Sequence, residues 1–90
     1  MAKIKFTSAL KRFFPSLSEM DISGTTVRET LHNVEKTYPG LLNYLTEENG
    51  QLRKHVNIFL KGELIKDRKT LNDTVGSHDE LLIFQALSGG

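Results

Sequence analysis

Ninety residues with a formal net charge of +1, 38% hydrophobic and 26% charged, are enough for one small domain of ordinary globular composition. A chain of this size buries about a dozen large apolar side chains, which leaves little room for both a core and a deep catalytic pocket and favours a binding or carrier role. It contains no cysteine, which excludes disulfides, thiolate nucleophiles and Cys-ligated zinc, so any sulfur chemistry needs another attachment point.

Lys3-Ile4-Lys5-Phe6-Thr7 alternates polar and apolar and predicts a half-buried strand. Ala9 to Pro15 is less regular, with a turn at Pro15-Ser16. Glu19-Met20-Asp21-Ile22 alternates again and is placed to form a hairpin with the first strand. Thr26-Val27-Arg28-Glu29 fits a capping box, in which Thr26 accepts from the Glu29 amide and Glu29 reaches back. Val27, Leu31, Val34 and Tyr38 follow at helical spacing, and Pro39-Gly40 ends the helix. Leu41, Leu42, Tyr44 and Leu45 suggest one more short helical turn, and Thr46 to Gly50 reads as a polar loop.

Val56, Ile58 and Leu60 alternate with Asn57, Phe59 and Lys61, a strand followed by a turn at Gly62 and a short strand Glu63-Leu64-Ile65. Lys66 to Ser77 is polar, with Leu71 and Val75 as candidate anchors. Glu80 to Leu87 is the last strand, and its nearly continuous apolar run predicts a central position covered in part on both faces. The order β-β-α-β-β-β with one main helix predicts an α+β fold, a mixed sheet with the helix on one face. A last strand lying parallel beside a central first strand would carry the chain end straight off the sheet.

Two features carry functional weight. If Val56, Ile58 and Leu60 face the helix, and Leu81 and Ile83 do likewise, then Phe59, Leu82 and Phe84 form an apolar patch on the outer face suited to docking a protein. The competing reading has Phe13 and Phe14 covering that patch. The second feature is the ending Leu87-Ser88-Gly89-Gly90. On composition alone a Gly pair also fits an unstructured end. Chemically, a terminal carboxyl with a pKa of about 3.3–3.7 is ionised at neutral pH. It can attack the α-phosphate of ATP, and glycines without Cβ atoms pass through a narrow slot in a partner.

Other chemistry is weakly represented. His32, His55 and His78 match no zinc spacing. Asp73, Asp79 and Glu80 read as loop and strand-entry carboxylates rather than a catalytic pair. Basic and acidic residues are interleaved, so no direct nucleic-acid binding is expected. No stretch approaches the roughly 20 apolar residues of a membrane span, and no signal peptide is visible, so a cytoplasmic location is expected. No cofactor, metal or intrinsic enzymatic activity is expected.

The terminal stretch Leu82-Ile83-Phe84-Gln85-Ala86-Leu87-Ser88-Gly89-Gly90 resembles the end of the thiamine-pathway sulfur carrier. Gly50-x-Leu52-x-x-x-Val56-Asn57-Ile58-Phe59 is similar instead to the cysteine-biosynthesis carrier. The chain as a whole, from the Ile4–Phe6 strand to Gly90, resembles the bacterial and archaeal β-grasp sulfur carriers, which include the small subunit of molybdopterin synthase; ubiquitin is a more distant relative. It lacks the Pro-Pro pair of the molybdopterin subgroup.

The resemblance implies a ubiquitin-like β-grasp domain over 1–87 and a Ser88-Gly89-Gly90 tail over 88–90. It implies that an adenylyltransferase of the ubiquitin-activating type uses ATP to adenylate Gly90, that the carboxyl becomes a thiocarboxylate, and that its sulfur passes to an acceptor enzyme in cofactor, cysteine or tRNA-thiolation biosynthesis. Phe59, Leu82, Phe84 and Leu87 would then meet the partner. The alternative within the same family is a modifier joined to lysines through Gly90. The uncharged residues 86–88 favour the carrier, because ubiquitin has basic residues before its glycines.

Overall fold

The computed structural model describes residues 1–85. Strand β1 (Ala2–Phe6) buries Ala2, Ile4 and Phe6 and turns Lys3 and Lys5 outward, as strand alternation requires. It pairs antiparallel with β2 (Met20–Ile22) and parallel with β5 (Glu80–Gln85). Strand β3 (Val56–Leu60) joins the other side of β5 antiparallel, and the two-residue β4 (Glu63–Leu64) closes the sheet, giving the order β2-β1-β5-β3-β4. The last strand is therefore central, as its apolar run predicts.

The loop between β3 and β4 is Lys61-Gly62, with φ of 55° and 81°. Positive φ at both positions is what a two-residue hairpin needs to match strand twist, and Gly62 adopts it without a steric penalty.

Helix α2 (Val27–Thr37) lies on the inner face with Val27, Leu31 and Val34 buried, along with Thr30, whose hydroxyl donates to the Thr26 carbonyl at 2.8 Å. Tyr38, at the helix end, is half-buried. The cap differs from the predicted box in one respect. Thr26 Oγ1 does accept from the Glu29 amide at 3.1 Å, but Glu29 Oε1 accepts from the amide of Thr25, at 2.8 Å, rather than from that of Thr26.

Two short helices flank α2. Helix α3 (Leu41–Leu45) is the expected extra turn and buries Leu41 and Leu45. Its start is fixed by Glu35, whose carboxylate accepts the amides of Gly40 and Leu42 at 2.9 and 2.8 Å. Those two bonds hold the Glu35 carboxyl below its ordinary pKa. Helix α1 (Ser8–Lys11), read from the sequence as irregular, is a single turn whose one buried residue is Leu10.

The 66–77 segment clasps the start of α2. Leu71 and Val75 are buried as expected, and the Asp73 and Leu71 carbonyls accept the amides of Val27 and Arg28 at 3.0 and 2.8 Å. The clasp is shaped by Asp67, whose carboxylate accepts the amides of Lys69, Thr70 and Asn72 and the Thr70 hydroxyl. These donors, the hydroxyl foremost, hold its pKa at about 2. The core they enclose centres on Ile4, Leu10, Leu31, Ile58, Leu81 and Ile83.

Candidate functional site

The outward face of the sheet is read from β5. Leu81 and Ile83 are fully buried on the inner side, while Leu82 and Phe84 project outward. Phe59 lies directly opposite Leu82 across β3, and Asn57 lies opposite Phe84. Phe59 and Phe84 are thus diagonal neighbours, within reach of aromatic side chains. Phe59 and Leu82 are half-buried, and Phe84 is 38% exposed. The structure brings together the three residues of the predicted outer patch.

It also adds a fourth. Leu64 is the cross-strand partner of Phe59 and is 56% exposed, so the apolar strip runs Leu82–Phe59–Leu64 across three strands. A two-residue strand offers no alternation from which to read its face. The one available signal was its register with Phe59 around the Lys61-Gly62 turn. Leu60, expected to face the helix squarely, is only half-buried near the hairpin end of β3.

Charged groups border the strip. Lys5, opposite Leu82 on β1, has its ammonium 2.5 Å from Glu80 and 4.0 Å from Glu19. The Glu80 bond raises the Lys5 pKa and lowers that of Glu80, and both groups stay charged at neutral pH. Lys61 pairs with Asp79 at 3.6 Å, and Asp79 also accepts the Gly76 amide at 2.6 Å. At the other end, Arg68 donates to the Asn57 side chain at 3.0 Å.

Beyond Phe84, Gln85 pairs with Val56 and shares the inner face with Leu81 and Ile83. Its Oε1 accepts from the Tyr44 hydroxyl at 2.9 Å. Phe13 and Phe14 gather round that same tyrosine, with ring centroids 5.1 and 5.7 Å away. These aromatics therefore collect on the helix side of the sheet and do not cover the outer strip. The predicted Gly90, Gly89, Ser88 and Leu87 lie outside the described residues, as does the boundary at 87.

Other candidates have structural roles. Asp73 accepts the amides of Lys66 and Asp67 at 2.9 and 2.8 Å, and Asp79 and Glu80 are ion-paired as above. His32, His55 and His78 are exposed, and among the described residues no cluster of metal-ligating side chains forms. An open concavity of about 650 Å³ lies between α2, α3 and the clasp, walled by Arg28, His32, Glu47 and Lys69 over Leu42 and Leu71. No helix among the described residues is long and apolar enough to cross a membrane.

The geometry has close counterparts. A chain of the Amycolatopsis orientalis BexX/CysO complex superposes with a TM-score of 0.85 at 23% identity, with 100% of each chain covered. CysO of Mycobacterium tuberculosis gives 0.82 at 20% identity, covering 97% of this chain and 100% of that one. SAMP1 of Haloferax volcanii gives 0.77 at 26% identity over 99% and 98%. No curated protein matches the sequence significantly. The ThiS family model matches residues 4–90, nearly the whole chain and the terminal glycines with it. The chain therefore belongs to the ThiS family, and its role is that of a β-grasp, ubiquitin-like sulfur carrier.

Proposed function

We propose that the Gly90 carboxylate is the group that carries sulfur, and that the Leu82–Phe59–Leu64 strip with Phe84 docks the enzyme that activates it. The carboxylate oxygen attacks the α-phosphorus of ATP and pyrophosphate leaves, giving an acyl-adenylate. Hydrosulfide then attacks the acyl carbon and AMP leaves, giving a thiocarboxylate whose sulfur passes to an acceptor enzyme. The activating partner is an adenylyltransferase of the ubiquitin-activating type, and its use of ATP fits a cytoplasmic setting. The chain itself supplies no catalytic group. Leu87, two residues past Gln85, extends the contact along the tail, and Ser88 and Gly89 thread the partner's slot.

The observation that carries this reading is that the family match runs through Gly90, directly after a central strand whose outer face is apolar. The likeness to SAMP1, a small archaeal modifier protein, favours a second use of the same carboxyl: transfer to a lysine amine as an isopeptide.

Incubation with the adenylyltransferase of the same organism, Mg-ATP and sulfide separates the two. The carrier reading expects one oxygen replaced by sulfur in the intact mass, placed at Gly90 by fragmentation. Lysine adducts without thiocarboxylate would support the modifier reading instead. Deleting Gly90 is expected to abolish activation and leave the thermal melt almost unchanged, since a chain end contributes little packing.

A further inference from the structure

Two of the cations beside the outward strip are already neutralised, Lys5 by Glu80 and Glu19 and Lys61 by Asp79. Arg68 differs. Its Nη1 donates to Asn57 Oδ1 at 3.0 Å and its Nη2 to the Arg53 carbonyl at 2.7 Å. Its own carbonyl accepts the Leu52 amide at 2.9 Å. The guanidinium is thus fixed at both prongs, yet among the described residues it has no ion pair. The adjacent Asp67 carboxylate is taken up by the donors of its own loop.

The place matters as much as the charge. Asn57 is the cross-strand partner of Phe84, so Arg68 sits one strand across from Phe84, at the end of the sheet from which the chain continues to its tail. Arg53, whose carbonyl holds Arg68, and exposed Lys54 come just before β3, and neither forms an ion pair among the described residues. Arg53 is itself held by the Asn43 carbonyl, at 3.1 and 3.4 Å. Arg68 thus sets one held cation against the apolar strip, while the Arg53 side chain turns toward α3 and the concavity.

We propose that Arg68, with Lys54 following the backbone that holds it, is a preformed anchor for a carboxylate-bearing surface on the protein that docks over Phe84 and Phe59. The inference rests on the docking reading above. A guanidinium already held in one orientation loses little freedom on pairing, and its planar fork suits a carboxylate. A protein fits better than a nucleic acid. Arg68 adjoins an apolar strip, Glu47 and Glu48 stand with Arg53 around the concavity, and a net charge of +1 supplies little field to hold a polyanion.

The test uses the full-length chain and the adenylyltransferase of the same organism, with binding measured by calorimetry without ATP and adenylation measured separately. Arg68→Gln is expected to weaken binding about tenfold and raise KM without lowering kcat, and Arg68→Lys to restore part of the loss. Lys54→Glu, at an exposed side chain, is expected to weaken binding, flatten its salt dependence and leave the melting temperature unchanged.

Because Arg68 also braces Asn57 and the chain at Arg53, Arg68→Gln is judged only if folded; Lys54→Glu and Arg68→Lys decide otherwise. Wild-type affinity and salt dependence in those variants would overturn the anchor. Salt-sensitive binding of bulk transfer RNA that Lys54→Glu abolishes, with enzyme binding unaffected, would also overturn it in favour of a nucleic-acid partner. Salt-dependent binding without adenylation would leave the anchor standing and remove the proposed chemistry, whereas adenylation indifferent to all three variants would do the reverse.

Discussion

Ile83 and Phe84 are adjacent on one strand and face opposite sides of the sheet. Ile83 is fully buried between Phe6 on β1 and Ile58 on β3, both buried in turn. Truncation to alanine there leaves a cavity in the middle of the core and is expected to cost about 2–5 kcal/mol. Phe84 keeps 38% of its surface in water. Full burial of a phenylalanine is worth about 1.5–3 kcal/mol, so Phe84→Ala forfeits about 1–2 kcal/mol. At about 4–8 °C per kcal/mol for a domain of this size, Ile83→Ala lowers the melting temperature far more than Phe84→Ala. Urea denaturation gives both free energies, and the slopes report whether two-state behaviour survives. Affinity for the adenylyltransferase should reverse the order for those molecules that remain folded, with Phe84→Ala the more damaging. Equal stability losses, or a larger one for Phe84→Ala, would refute the assignment of Phe84 to a docking face.

Three further outcomes are expected. Thr26→Ala removes the acceptor at 3.1 Å from the Glu29 amide and should cost about 1 kcal/mol in urea unfolding, with Thr26→Ser recovering most of it. Gly24→Ala should cost more than Gly62→Ala. Both positions have positive φ, but a Cβ at Gly24 meets the Thr30 backbone at 2.9–3.0 Å and overlaps its hydroxyl, whereas Gly62 has open space around it. Overpacking of about 1–3 kcal/mol at Gly24 adds to the cost of its backbone conformation, whereas at Gly62 the backbone cost stands alone. The Asp67 carboxylate, held at about 2, contributes stability that is complete above the ordinary carboxylate range and is lost as pH falls through about 2. The gap in urea midpoint between wild type and Asp67→Asn should therefore be constant near neutrality and narrow below about pH 4; a gap that widens on acidification would count against the hydrogen-bonded carboxylate.

What was legible in the sequence was whatever repeats with a period. Val27, Leu31 and Val34 recur at helical spacing and are buried on α2, and the alternation along Val56–Leu60 delivers Phe59 to the outer face. The unbroken apolar run of β5 marked a strand clothed on both sides, so its central position and the Phe59–Leu82–Phe84 patch were both within reach. Shorter devices were not. Helix α1 is one turn with a single buried residue, Leu10, and one anchor defines no period. Leu64 belongs to a strand of two residues. Arg68 lay in a polar stretch, and its partners are 11 and 15 residues away. Charge read along the chain looked interleaved, yet folding pairs some cations with neighbouring carboxylates and, among the described residues, leaves Arg68 without such a partner.

The pairing of β5 on both sides sets a geometric limit on any partner. With β1 parallel on one edge and β3 antiparallel on the other, Gln85 is tied to Val56 and cannot peel away without breaking sheet bonds. Phe84 and Arg68 therefore keep a fixed relation to the point where residues 86–90 begin. Five residues, counted from 86 to 90, reach at most about 18 Å, taking about 3.6 Å for each. A partner gripping the outer strip must then present its adenylating centre within about that distance of the Gln85 end. On the proposed docking, the surface would do more than add affinity, because it would select enzymes by the distance between their grip and their chemistry. Inserting glycines between Ala86 and Leu87 should leave binding over Phe84 and Arg68 intact while slowing adenylation, since the carboxylate would have to be found in a larger volume. Weakened binding with undiminished chemistry would place the recognition in the tail instead of the sheet.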